Sequence, residues 1–203
     1  MKRTIALLLA ILMLAAVMLT ACQKEENTIP DDLVAYNTGA DGKPTSFYKN
    51  EYDENDRLTR NYSYDASGKL LGSTAYEYDD YGNEIKDIIY NSDNEVEAQI
   101  KWEKTPEGLV TKRTDIDADN IITSIITYEY DNAGNQTGIN RYNGDGTLKS
   151  YDTYEYDAEG NPTKMTRFKG DGTIKYYVTY VIGEDGNIAE YQYDADGNLI
   201  SIS

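Results

Sequence analysis

The stretch Tyr154–Asn161 reads YEYDAEGN, and variants of it recur along the chain: YEYDDYGN at Tyr76–Asn83, YEYDNAGN at Tyr128–Asn135, YSYDASGK at Tyr62–Lys69 and YQYDADGN at Tyr191–Asn198. Marking the glycine of each turn, or the residue standing in for it, gives Gly42, Asp56, Gly68, Gly82, Asn94, Gly108, Asn120, Gly134, Gly146, Gly160, Gly172 and Gly186, in alternating steps of 14 and 12 residues. The period is 26, and only the last step, Gly186 to Gly197, is one residue short. Every stand-in is Asp or Asn. These side chains tolerate a left-handed backbone best after glycine, so the marker is expected to be a turn residue with positive φ. A fixed period of this kind outranks local propensity in deciding the fold.

Between markers stand Tyr, Thr, Ile and Val with polar alternates, and no long helical pattern occurs. Segments of 12 or 14 residues, less a turn of three or four, leave strands of about eight to ten. The expected fold is all-β: an antiparallel meander of about a dozen strands built from a 26-residue hairpin repeat, open or curled. It forms one repeat domain over 38–203.

In the 14-residue segments, counting from the marker, position eight is Asn50, Tyr76, Trp102, Tyr128, Tyr154 and Tyr180, and position ten includes Tyr52, Tyr78, Tyr130 and Tyr156. Position two is Pro44, Leu70, Val96, Ile122, Leu148 and Ile174, and position nine is glutamate in all copies but the last. Strand alternation then predicts one aromatic and aliphatic face, with position two on it, and one charged face. The face of the 12-residue segments, whose position eight is Tyr64, Tyr90, Ile116, Tyr142 and Phe168, depends on each loop, since a one-residue shift reverses it. Arg60, Lys86, Lys112 and Lys164 each lie nine residues after a glutamate, Glu51, Glu77, Glu103 and Glu155, whereas Gly138 follows Glu129. The spacing predicts cross-strand pairs on the charged face, each worth under ~1 kcal/mol.

The N-terminus reads differently. Lys2 and Arg3 precede an apolar run from Ile5 to Leu19, then Thr20, Ala21 and Cys22. This n-region, h-region and small-residue cysteine site resembles a bacterial lipoprotein signal, with Leu19–Cys22 as lipobox. The resemblance implies cleavage before Cys22, so that 1–21 is signal peptide, and lipidation of Cys22, with more than one acyl chain giving a stable anchor. The run is shorter than the roughly 20 apolar residues that span a bilayer. Residues 22–37 are polar, acidic and aperiodic and are read as a tether, able to reach on the order of 50 Å if extended. The expected location is extracytoplasmic, on the cell membrane, or on the outer membrane of a diderm cell.

Cys22 is the only cysteine and there is no histidine. A lipidated Cys22 leaves the fold without thiol, disulfide or cysteine metal ligand, and the lack of histidine removes Ser/His and Cys/His pairs and the commonest general base. Loss of Lys2 and Arg3 leaves 17 basic against 36 acidic residues, a formal −19. Such a surface repels nucleic acid and favours cationic partners.

The repeat YxYDxxGN/K, followed by Leu in YSYDASGKL from Tyr62 and YDADGNLI from Tyr193, looks like the YD repeat of the RHS family. The resemblance covers nearly all the chain from Gly42. It implies β-hairpins coiling into a strip on the cell surface, with carbohydrate binding as an occasional association, and it lends no catalytic residue. The strict 12 and 14 alternation departs from the family's looser spacing. The repeat is also too short for the shell that its large members build around a toxin domain, and no effector is expected after the last motif.

The residues raise three chemistries. Asp115, Asp117, Asp119 and Asn120 open like a calcium loop, but Asn120 replaces glycine at position six and Ile126 the glutamate at position twelve, so they read as turn residues. Carboxylates that recur with the period do not make the single asymmetric pair a glycosidase needs, and no enzyme, cofactor or metal is expected. Tyrosines could stack on sugars or pack as the core. The position-ten tyrosines next to turns, Tyr52, Tyr78, Tyr130 and Tyr156, with Tyr193, are the candidate ligand-binding residues. The expected function is a lipid-anchored envelope module binding glycan, peptidoglycan or a protein. The alternatives are a structural spacer and an accessory or immunity protein to a larger RHS-type toxin.

Overall fold

The computed structural model describes residues 32–183 and 186–203; the signal segment, Cys22 and most of the tether lie outside them. The described chain is a meander of fourteen antiparallel strands, paired in sequence order in one sheet that does not close into a barrel. They are β1 (Val34–Thr38), β2 (Pro44–Tyr52), β3 (Leu58–Asp65), β4 (Leu70–Tyr78), β5 (Glu84–Asn91), β6 (Val96–Lys104) and β7 (Val110–Asp117). There follow β8 (Ile122–Tyr130), β9 (Gln136–Asn143), β10 (Leu148–Tyr156), β11 (Pro162–Lys169), β12 (Ile174–Ile182), β13 (Ile188–Asp194) and β14 (Leu199–Ile202). β1 begins inside the stretch read as tether. Two compact units can be distinguished. In one, the residues up to Lys49 with Ser63–Leu70, the rings of Tyr36 and Tyr48 meet edge to face at 6.0 Å. The other, Asn50–Tyr62 with Leu71–Ser203, holds the candidate sites described below.

The turns explain the motif. Asp56, Asn94 and Asn120 have φ of 60°, 61° and 65°, and the marker glycines lie between 77° and 89°. In Asp79–Asn83 the Gly82 N–H donates to the Asp79 carbonyl and the Asp79 N–H to the Asn83 carbonyl, a β-turn followed by a left-handed residue. The Asp79 carboxylate accepts the N–H groups of Tyr81 (2.9 Å) and Asn83 (2.8 Å) and the Asn83 amide (3.1 Å). Asp starts the turn, Gly permits it, and Asn closes it. The same set recurs at Asp131, Asp157 and Asp194.

From β5 to β12 each strand carries one extra residue near its start. Glu77 faces Lys86 but Tyr78 faces Glu84, leaving Ile85 unpaired, and Tyr142 faces Leu148 while Arg141 faces Ser150, leaving Lys149 unpaired. Where the extra residue is threonine, its hydroxyl bonds a neighbouring carbonyl: Thr111 to Glu103, Thr163 to Glu155 and Thr123 to Asp115, at 3.1 to 3.2 Å. The step that is one residue short, Gly186 to Gly197, corresponds to the β12–β13 pairing, which runs from Ile182↔Ile188 to Tyr176↔Asp194 without a shift. The missing residue is the bulge.

A bulge sets two residues against one and so exchanges faces beyond it, which corrects the expected division into an apolar and a charged face. Position two crosses over: Val96, Ile122, Leu148 and Ile174 oppose Tyr90, Ile116, Tyr142 and Phe168, on the face of the glutamates. On this Glu77 face Tyr151 stacks on Phe168 at 4.5 Å and Tyr177 on Tyr193 at 4.9 Å. The opposite Trp102 face bears the position-eight aromatics with Asp87, Arg113, Asp115, Arg141, Asp152 and Arg167 among them. Both faces are amphipathic. Among the described residues only Phe47, Ile116 and Val178 are buried apolar residues, so most aromatic side chains are half-buried ladders.

Three of the expected ion pairs form: Lys86–Glu77 at 3.0 Å, Lys112–Glu103 at 2.8 Å and Lys164–Glu155 at 3.7 Å. The fourth does not. Arg60 turns to Ser73 Oγ (2.9 Å) and Asn94 Oδ1 (2.6 Å), over the Tyr90 ring, while Glu51 accepts from the Tyr62 hydroxyl. Opposite Gly138, Glu129 accepts from the Asn140 amide at 2.8 Å.

Candidate functional site

The sequence-predicted tyrosines do not form one site. Tyr78, Tyr130 and Tyr156 donate their hydroxyls to the carbonyls of Leu58, Val110 and Gln136, each at 2.8 Å, and burial pushes all three phenols up. Each ties the end of one strand to the preceding one, beside its bulge. Tyr52 is 57% exposed and accepts the Asn50 amide. Tyr193 lies on the Glu77 face, stacked on Tyr177, because its strand belongs to a short segment. Asp117, from the rejected calcium loop, accepts the N–H groups of Asp119 and Ile121, and Asp115 is held by Arg113 at 2.7 Å and by the Ser124 hydroxyl.

The Trp102 face holds what the sequence reading missed. Asp87 on β5 opposes Tyr76 on β4 and Ile100 on β6, and the Trp102 indole N–H points to Asp87 Oδ2 at 3.4 Å. Arg113 lies over the Trp102 ring, 5.3 Å from its centroid, and bonds Asp115. Asp87 Oδ1 is buried and accepts from no donor among the described residues. The Glu84 carboxyl lies within hydrogen-bonding reach of Asp87; burial first, then the charge and hydrogen bond of Asp87, push it up against the pull of Lys104. A proton on Glu84 would satisfy the lone oxygen. The result is a half-buried patch of indole, guanidinium and paired carboxyls, able to offer ring stacking and both donors and acceptors.

A second cluster lies on the same face. Asp152 is wholly buried; Arg167 grips it with two bonds of 2.7 and 2.8 Å, and Arg141 adds a third at 2.8 Å. Burial works to raise the Asp152 carboxyl, and the bonds from Arg167 and Arg141 outweigh it and hold it low. Its acceptor capacity is taken up within the fold. The sequence signal for the Asp152 cluster is a break in the period, since position six of the long segments reads Tyr48, Thr74, Ile100, Ile126, Asp152, Val178; Asp87 and Arg113 share position five of the short segments, which reads Asn61, Asp87, Arg113, Ile139, Met165.

No protein-family model matches the chain, and no curated protein does. Solved structures are similar in part. A TcdB2–TccC3–TEV structure matches 76% of this chain and 9% of its own at 17% identity and a TM-score of 0.49. A porin-like protein from Bacteroides uniformis matches 74% of this chain and 56% of its own at 14% identity and a TM-score of 0.38. A GtfA/B complex bound to UDP and GlcNAc matches 63% and 23% at 16% identity and a TM-score of 0.23. The chain thus spans a small fraction of the first and just over half of the second.

Proposed function

We propose that the protein is a lipid-anchored module of the bacterial envelope that binds a glycan or protein partner through the Trp102 face. The observation that carries this reading is the placement of Asp87, Trp102, Arg113 and Asp115. They stand together on adjacent strands; in the place shared by Asp87 and Arg113 later copies fold with Ile139 and Met165, and in the place of Asp115 the preceding copy folds with Ile89. A spacer would not require that departure.

The anchor is tested by fractionation: Cys22→Ser is expected to move the protein from membrane to soluble fraction. Binding is tested on Trp102 emission, the chain having one tryptophan. Soluble peptidoglycan fragments are expected to change it saturably, and Arg113→Ile, which restores the residue type of a neighbouring copy, to abolish the response with the fold intact. Unchanged emission with peptidoglycan fragments and envelope extracts alike would leave the spacer reading in its place.

A further inference from the structure

A groove of about 440 Å³ runs across β4 to β8, lined on the Glu77 face by Lys86, Lys101, Lys112, Thr114, Ile116 and Ile122 between Glu77 and Glu103, and bordered also by Ile85 and Trp102. The volume falls within the range of small-molecule sites. Its charge is unlike that of the whole. In a chain of formal charge −17, three lysines stand on three adjacent strands. Lys86 and Lys112 are neutralised by Glu77 and Glu103. Lys101 is not: its cross-strand neighbours are Lys86 and Thr114, and among the described residues it has no ion pair. Like charges set directly opposite destabilise a sheet. In the other copies the same position is Lys49, Ala75, Thr127, Thr153 and Thr179, so the fold accepts a neutral residue there. Ile122, two strands away in the same groove, is 41% exposed and offers it an apolar wall.

We propose that this groove binds a small amphiphilic monoanion, its charged group on Lys101 and its apolar part against Ile116 and Ile122. One uncompensated cation between two ion pairs selects a single negative charge, because Glu77 and Glu103 repel a polyanion. An anion bridging Lys101 and Lys86 also removes the repulsion between them. Trp102 borders the groove as well, but Lys101 points from the face opposite Arg113 and Asp115, so the charge that holds the anion is not part of the patch proposed above.

The test is calorimetric titration of the full chain bearing Cys22→Ser, so that no acyl chain of its own competes. Decanoate below its micelle concentration is expected to bind saturably. Decyltrimethylammonium, with the same tail and opposite charge, and inorganic phosphate, with charge and no tail, are expected to bind at least tenfold more weakly. Lys101→Thr should weaken decanoate at least tenfold with the melting temperature unchanged or raised; Lys101→Met serves the same purpose if the threonine variant does not fold. Equal binding of the cationic amphiphile, equal binding of phosphate, or undiminished binding by both variants each overturns the assignment.

Discussion

Asp87 Oδ1 is a buried acceptor without a donor among the described residues, and the Glu84 carboxyl beside Asp87 is able to supply one. Because the folded state holds that proton where the unfolded chain has lost it, the pair stabilises the fold at low pH and the contribution fades as pH rises through the raised Glu84 value. The groups facing it are Tyr76 and Tyr78 from β4 and Lys104 and Trp102 from β6, with Arg113 beyond. Trp102 reports the change directly. Its emission is expected to show a transition above the ordinary glutamate range that Glu84→Gln removes, and a flat wild-type profile would refute the shared proton. Asp152 has the opposite sign: held low by two arginines, it stabilises above the ordinary aspartate range and is lost as pH falls through its lowered value. Asp152→Asn strands two guanidiniums and is expected to cost about 3–5 kcal/mol by denaturant titration, toward the lower end because both are partly exposed. A loss below ~1 kcal/mol would show the cluster to be dispensable.

The turn and its strand ends are set by backbone geometry, and there two glycines two residues apart have opposite fates. Gly146 has φ of 83° and open space where a Cβ would stand, as at the marker where Asn94 and Asn120 occur. Gly144 has no positive φ to protect, but an added Cβ would fall 1.9 Å from the Ile122 carbonyl oxygen. Gly146→Asn is therefore expected to change stability by less than ~1 kcal/mol, whereas Gly144→Ala should cost about 1–3 kcal/mol, because backbone must move. Equal melting temperatures for the two would contradict this. The contrast also shows what was legible in the sequence. Marker residues were, because a left-handed turn admits few residue types and leaves them in register. Faces were not: a bulge is one residue that looks like any other, as Ile85, Thr111 and Lys149 do, and it inverts the parity of everything beyond it. Trp102 was legible in the aromatic column of position eight, whereas Asp87 and Asp152 could have been found only by looking for departures from the period instead of adherence to it, and the hydroxyls of Tyr78, Tyr130 and Tyr156 were already engaged by carbonyls that sequence does not place.

For the molecule as a whole, stability comes from neighbour upon neighbour, since few side chains are buried and strands pair only in sequence order. A pair of strands with its two kinds of bulge returns both the chain direction and the facing of its side chains to where they started; one strand alone returns neither. Removal of residues 95–120, joining Asn94 to Ile121, should therefore leave a cooperatively folding protein with the β-sheet circular dichroism of the parent. Removal of 95–108 should not, and a cooperative melt for that shorter cut would refute the argument. The bulges thus act as a unit of length: the protein can grow or shrink in whole cassettes of 26 residues, as a ratchet moves by whole teeth, and an insertion of any other size must be accommodated in a turn.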